Sequence, residues 1–399
     1  MKFSVLIPTR NRLQYLKYAM ETVLRQDYDD WELIISDNDS EEDIAGYAHS
    51  LNDPRIKYYR TDRFVPVTDN WNNALHKSSG EYVIMLGDDD CLMRGYFSTM
   101  LNLIREYDRP DVIYTKAYLY AYPGVMAGFP DGYLHLYGCA DFFDLSDKPF
   151  WLDMSRALNL VEQSMNFKSL FGYNSQFSLV KREFIDSLRH KGDFFQSPYP
   201  DFYATNVLFL KAKRILIYPY PMVTIGICPK SFGFFFFNQR ESAGVDFLHN
   251  MHSKEVADKL QNVILPGVMN NTCWLLAMET IRNNYSSEFN LCVNYRRYRF
   301  IQIGTFYKFY YADKRFSKRE LRELQKKMTI WERLIYGVGF CCLFTLVGLM
   351  PLKLRLKVFD VLRKMKHQYS AKEPPKHSGY FKNILEVYET QTRYLSLDT

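Results

Sequence analysis

Tyr82-Val83-Ile84-Met85-Leu86 runs without a break into Gly87-Asp88-Asp89-Asp90. Five apolar residues rich in β-formers, cut off by a glycine and three acids, read as a buried strand that ends in a polar loop. The same grammar recurs upstream. Phe3 to Ile7 is a short apolar run closed by Pro8-Thr9-Arg10-Asn11, and Trp31 to Ile35 closes on Ser36-Asp37-Asn38-Asp39-Ser40. Ile56 to Tyr59 supplies one more strand. Helical patterns fill the gaps. Leu13, Leu16, Ala19, Met20, Val23 and Leu24 recur at helical spacing through Gln26, with Asn11 placed to cap the start. A polar helix is predicted from about Glu41 to Ser50, and Thr68 or Asp69 can cap another that ends at His76.

The resulting β-α-β-α-β-α-β rhythm specifies an α/β fold, a Rossmann-like and mostly parallel sheet flanked by helices, whose ligands bind at the carboxyl ends of the strands. Thr9-Arg10-Asn11, Asp37-Asn38-Asp39 and Asp88-Asp89-Asp90 all fall at that edge, so the fold predicts their convergence on one crevice. Farther along, Val112 to Tyr120 and Phe177 to Val180 read as strands, Asp201 to Lys211 as a helix opened by Pro198-Tyr199-Pro200, and Ile215 to Tyr218 as the closing strand. Beyond Pro229 the character turns helical, from about Val245 to Ile330, which places a boundary between Cys228 and Gly244. The expected organisation is an α/β unit over 1–230, a helical region over 231–330, and an apolar helix with a basic tail over 331–399.

Composition supports a folded chain and excludes several functions. At 399 residues, 47% hydrophobic and 24% charged, the chain can bury a sizeable core. A net charge of +6 is too mild for a dedicated nucleic-acid binder and suits an anionic small substrate or a lipid surface. The seven cysteines include no C-x-x-C pair, which points to a reducing compartment rather than a zinc site. Met1 to Pro8 holds too short an apolar run for a signal-peptide core and is expected to be the first strand.

Three consecutive aspartates repel one another unless a cation sits among them, and hard carboxylate oxygens suit Mn²⁺ or Mg²⁺ bridging a diphosphate. A solvated turn or a helix cap is the plainer explanation for such a run, less common at a sheet's carboxyl edge. Asp37 and Asn38 offer a carboxylate and an amide suited to a ribose or a base edge, or alternatively an Asx-turn ahead of the next helix. No Gly-rich phosphate loop follows the first strand, which argues against a nucleotidyltransferase or a Rossmann dehydrogenase.

In order and spacing, Val5-Leu6-Ile7-Pro8-Thr9-Arg10-Asn11-Arg12, Trp31 to Ser40 and Gly80 to Asp90 resemble the family 2 glycosyltransferases of GT-A fold. The resemblance is specific over about residues 1–110 and extends to about 240. It implies a nucleoside-diphosphate sugar donor, usually a UDP-sugar, a divalent metal (Mn²⁺ or Mg²⁺), inversion at the anomeric carbon, and a role of the bacterial surface-polysaccharide type. Carried over, Pro8, Thr9, Asn11, Asp37 and Asn38 line the nucleoside pocket, Asp88 lies near the ribose, and Asp89 with Asp90 holds the metal. Asp201, in Tyr199-Pro200-Asp201-Phe202-Tyr203, matches the family's general base at a helix start, although it also reads as a cap of that helix. Arg10, Arg12 and Lys230 could add positive charge, though each reads as an ordinary surface cation. Two departures stand out: Gly87 replaces the first aspartate of the family's D-x-D triplet, and Asn38 its base-contacting aspartate.

Leu334 to Pro351 is uncharged and apolar, yet as a helix it spans about 26 Å, short of the roughly 30 Å hydrocarbon core. Basic residues flank it on both sides, from Lys314 to Lys327 and from Lys353 to Lys366, where a spanning helix would keep them on one. The expectation is a segment within 331–366 that touches the membrane surface, in a cytoplasmic protein peripheral to the inner face of the cell membrane; a buried core helix is the alternative. The partners expected are a nucleotide-sugar donor and a saccharide or lipid-linked acceptor. A membrane-surface scaffold on a degenerate transferase fold is the non-enzymatic alternative. Phe232-Gly233-Phe234-Phe235-Phe236-Phe237 is expected to pack between the two regions or to act as a lid.

Overall fold

The computed structural model describes residues 1–126, 131–137, 140–231, 254–351, 354–355, 357–358 and 380–394. The Phe232–Phe237 block, most of the interval between Cys228 and Gly244 in which the boundary is expected, and most of the basic tail lie outside the described residues.

The first half reproduces the predicted alternation: β1 (Phe3–Thr9), α1 (Leu13–Leu24), β2 (Trp31–Asp37), α2 (Ile44–Ser50), β3 (Ile56–Arg60), α3 (Val67–His76) and β4 (Tyr82–Met85). After the aspartates come β5 (Cys91–Leu92), α4 (Tyr96–Glu106), β6 (Val112–Ala121), β7 (Gly132–Tyr137), β8 (Phe150–Trp151) and α5 (Met154–Met165). Then follow β9 (Ser178–Lys181), α6 (Arg182–Ser187), α7 (Pro200–Lys211) and β10 (Ile215–Ile227). The C-terminal part contributes α8 (Lys254–Lys259), α9 (Met269–Tyr285), α10 (Tyr295–Tyr307), α11 (Lys318–Lys327), α12 (Val338–Leu349), β11 (Tyr380–Phe381) and α13 (Ile384–Tyr394).

All strands join one sheet, with β11-β7-β6-β9-β4-β1-β2-β3 as its main path. It is parallel across β4-β1-β2-β3, where every residue of β1 except Pro8 is buried. Beyond β4 it turns mixed: β9 runs antiparallel to both β4 and β6, while β10 runs parallel to β6. β10 is far longer than the predicted strand. Proline lacks the ladder N–H and normally ends a strand, but register shifts around Pro221 absorb the interruption and carry β10 on to Ile227.

Two expected caps and one expected helix start are corrected. Asn11 takes a left-handed φ of 52° and its side chain accepts from Glu41 N, while the Leu13 N–H is taken by Glu42. α2 starts later than predicted, where Asp43 accepts from Gly46 N. α3 begins at Val67 after Pro66, so Thr68 lies inside it and donates to Ser197 O instead.

Below the sheet's first loops, Glu32 ties three segments together. It is almost fully buried, pairs with Lys2 and Lys57, and accepts from Ser4 Oγ, Ser79 N and Gly80 N. Burial works against its charge, but these partners win and hold its carboxyl well below the usual range.

The helical part does not stand apart. Trp274, Leu275, Met278 and Ile281 of α9 share one apolar cluster with α5, α7 and the sheet. A second cluster, including Phe306, Leu321, Leu324 and Phe344, holds α10, α11 and α12 together. The end of the described chain returns to the α/β unit, which the sequence did not suggest. β11 pairs antiparallel with β7, Tyr120 Oη donates to Phe381 O, and Tyr388 Oη donates to Arg25 O across to α1.

Candidate active site

Parallel pairing brings the carboxyl ends of β1, β2 and β4 side by side, and the predicted clusters meet there. Thr9 Oγ1 donates to Asp88 Oδ2 at 2.7 Å, and Asn38 N donates to Thr9 O at 2.9 Å. β5 pairs with β10 through Leu92 and Cys91, which pins the aspartate loop against the far end of β10. Contact is so close that a Cβ on Gly226 would lie 1.7 Å from Asp89 O.

The three aspartates have three different jobs. Asp88 is held by Thr9 and by Arg12 Nη1 at 2.8 Å. Asp89 accepts from Cys228 N through Oδ2, and its Oδ1 lies 3.9 Å from Arg12 Nη1. Asp90, expected as a metal ligand, has both oxygens engaged by donors of the protein. Its Oδ2 accepts from Gly87 N (2.6 Å) and Gln176 Nε2 (2.8 Å), and its Oδ1 from Gly226 N (2.8 Å). Burial pushes the carboxyls of Asp89 and Asp90 up; Arg12 opposes this at Asp89, and the three N–H donors oppose it at Asp90.

Arg12 is the cation that faces Asp88 and Asp89, and reading it as a surface group is corrected. Its side chain is 14% exposed, and burial penalises its charge, but Asp88 and Asp89 outweigh that and keep it firmly protonated. It also donates to Lys230 O, while Lys230 Nζ donates to Asn11 O at 2.6 Å. Arg10 instead stacks over the Phe64 ring at 4.0 Å. Only the fold could show this, since Arg10 and Arg12 look alike in sequence.

The remaining predicted pocket residues are nearby and mostly engaged. Asp37 is fully buried, accepting from Ser40 N and from Tyr58 Oη. Asn38 grips the Val65 backbone in both directions, donating to its O and accepting from its N, each at 2.8 Å. Both groups of that amide are therefore engaged within the protein. Pro8 is half-buried at the end of β1, and Asn11 joins the β1 and β2 loops through Ser40 and Glu41.

Asp201 occupies the first turn of α7 after Pro200. Its Oδ1 accepts from Ser175 N at 2.7 Å. Burial pushes the carboxyl up to about 6 against the pull of Ser175. The neighbouring residue, Gln176, is the donor to Asp90. The short turn Ser175–Phe177 therefore bridges Asp201 to the aspartate loop. Ser175 and Gln176 carry no motif, and nothing in the sequence singles them out.

Among the described residues no group of three or more His, Cys, Asp or Glu is arranged to hold a metal alone. Mg²⁺ and Mn²⁺ bound with a diphosphate need only one or two carboxylates, the rest coming from phosphate and water. Asp89 Oδ1 fits that requirement, being the one oxygen of the triplet without a hydrogen-bond donor among the described residues. Gly87 fits its position for a different reason: a Cβ there would sit 2.5 Å from Asp90 Oδ2. Gly87→Asp, which restores the family's first aspartate, is expected to destabilise the fold by about 1–3 kcal/mol through this clash. A urea melt checks it; unchanged stability would contradict the packing.

Residues 4–126 match the family described as "Glycosyl transferase family 2", so this part of the chain is a domain of that family. Over 108 residues the chain is 38% identical to the GalNAc(5)-diNAcBac-PP-undecaprenol beta-1,3-glucosyltransferase of Campylobacter jejuni, covering 26% of this chain and 35% of that protein. Over 87 residues it is 29% identical to the UDP-Glc:alpha-D-GlcNAc-diphosphoundecaprenol beta-1,3-glucosyltransferase WfgD of Escherichia coli, covering 22% and 34%. The matches thus span about a third of each relative's length. Among solved structures, S. aureus TarS 1-349 aligns over 95% of this chain and 100% of its own at 15% identity, with a TM-score of 0.45.

Proposed function

We propose that this protein is an inverting, metal-dependent glycosyltransferase that moves a hexosyl or N-acetylhexosaminyl group from a UDP-sugar to a saccharide or lipid-linked acceptor in the assembly of bacterial surface polysaccharide. The observation that carries the reading is Asp201, a carboxylate anchored by Ser175 to a turn whose next residue, Gln176, is locked to the aspartate loop. Two relatives named as glucosyltransferases of undecaprenol-linked substrates, one with a UDP-Glc donor, support the donor and acceptor classes. Residues 1–230 form the catalytic unit, 231–330 the helical region, and 331–399 a segment that associates with the inner face of the cell membrane, apart from β11 and α13, which belong structurally to the catalytic unit.

In this mechanism Asp201 Oδ2 takes the proton of the acceptor hydroxyl as its oxygen bonds to the anomeric carbon, on the face opposite the departing diphosphate. Thr9, Asp37, Asn38 and Asp88 position the nucleoside. Arg12 and Lys230 offset the charge that develops on the diphosphate. A divalent metal at Asp89, when bound, serves as a Lewis acid toward that diphosphate. Arg12 must share or leave its place beside Asp88 and Asp89 when the donor enters.

The test is hydrolysis of UDP-, GDP- and dTDP-sugars with Mn²⁺ or EDTA. Metal-dependent release of UDP from one donor, lost in Asp89→Ala, is the expected result. Nucleotide binding without turnover on any acceptor would favour the scaffold reading, and absence of binding would remove the assignment.

A further inference from the structure

The described residues contain one helix long and apolar enough to cross a membrane, Glu332–Leu349, with a mean hydropathy of 1.5 and only 17% of it buried. The exposure is one-sided. Trp331 (74% exposed), Leu334 (59%), Val338 (56%), Leu346 (61%) and Leu349 (81%) recur at helical spacing on the outside, while Phe344 and Val347 face the cluster formed with α10 and α11. A contiguous apolar stripe of this length is not left to water without a partner.

Both ends of this helix are fastened. At its start, Glu332 takes a bidentate pair from Arg299 Nε (2.6 Å) and Nη2 (2.7 Å) on α10. At its end, Arg355 Nη2 donates to Gly348 O at 2.8 Å and Nη1 to Ala312 O at 3.3 Å. The chain before the helix packs on the catalytic unit through α9, and the chain after it returns there through β11 and α13. A helix that crossed a bilayer would leave its far end on the other side, and the chain would have to recross to reach β7. The sequence from Leu352 to Gly379 that would recross carries Lys353, Arg355, Lys357, Arg363, Lys364 and Lys366 and offers no second apolar span.

We infer that residues 330–349 form a one-leaflet anchor: the stripe led by Trp331, Leu334, Val338, Leu346 and Leu349 lies in the surface of an anionic lipid leaflet, without crossing it. The occupant follows from charge and geometry. α11 presents exposed Lys318, Arg319, Arg322, Lys326 and Lys327 immediately ahead of the stripe, matching anionic headgroups, and Trp331 sits between the basic helix and the apolar face as an interfacial residue does. The inference rests on the membrane association proposed above and adds its depth, its sidedness and the residues that enter.

The full chain is added to preformed phosphatidylglycerol-phosphatidylcholine vesicles and to pure phosphatidylcholine vesicles, and binding is read by flotation. Expected are binding to the anionic vesicles that weakens with added salt, and a loss on the order of 100-fold in Leu334→Glu/Leu346→Glu, with circular dichroism unchanged because both side chains are exposed. Sidedness is read with Leu354→Cys and, separately, Lys318→Cys, each in a chain whose Cys139, Cys292, Cys341 and Cys342 are serine. An impermeant maleimide added outside should label both positions of the bound protein alike. No binding to anionic vesicles overturns the membrane association itself. Binding with Leu354→Cys shielded until the vesicles are lysed keeps that association and overturns the one-leaflet anchor. A stable dimer in solution that the double glutamate variant dissolves, with vesicle binding unaffected, assigns the stripe to a second copy and overturns the lipid. Soluble donor hydrolysis is unaffected by either variant, so the chemistry is judged separately.

Discussion

Asp201→Asn is expected to lower kcat by about 10³-fold while nucleotide affinity and fold persist. The amide oxygen can still accept from Ser175 N, so the turn that bridges to Asp90 stays in place, but the amide cannot take a proton. The pH profile carries a sharper form of the same expectation. With its pKa at about 6, Asp201 must lose its proton to act as a base, so the parent rate should rise through about 6 and level off above it. Stability runs the opposite way. A carboxyl raised by burial favours the fold only while it is protonated, and that contribution is lost as pH rises through about 6. Asp201→Asn should therefore melt at or above the parent near neutrality, with the difference closing in acid. A parent rate flat across this range, or a variant with parental kcat, would remove Asp201 from the chemistry.

Asp90→Ala should behave as the reverse case, losing about 3 kcal/mol or more of stability in a urea melt. The alanine would strand Gly87 N, Gln176 Nε2 and Gly226 N, three donors now satisfied by one carboxylate. Unburying an unfavourably placed charge offsets part of this, but not the loss of all three partners. Asp89→Ala gives up the bond from Cys228 N and part of the charge that faces Arg12, and should lose less stability than Asp90→Ala, while losing metal-dependent UDP binding by calorimetry. Equal melting of the two variants would mean that the division of labour in the triplet is wrong.

The legible part of this fold was local. Strand and helix periods from Phe3 to Leu86 define the parallel half, and the rule that ligands gather at the carboxyl edge brings Thr9, Asp37 and Asp88 together from sequence alone. What stayed hidden depends on contacts between distant residues. Arg12 enters the acids because α1 starts beside them, and Gln176 reaches Asp90 across 86 positions. β10 passes Pro219 and Pro221, which a propensity argument treats as stops, because bulges re-align it against β6. The triplet also shows the limit of reading a motif by composition: three identical side chains differ only in the donors the fold supplies, and Asp90 could not be told from Asp89 without Gly226.

The return of the chain to β7 also bears on how the protein fails. β7 is an open strand edge until β11 pairs with it, and Tyr120 finds its acceptor in Phe381 only after the chain has closed a loop of 261 positions. Closing so large a loop is slow, and meanwhile an unpaired edge is a template for any other strand in solution. Residues 380–394 thus act as a guard against edge-to-edge aggregation, so a proteolytic nick or premature stop upstream of Tyr380, far from the aspartates, should show first as insolubility rather than as lost catalysis.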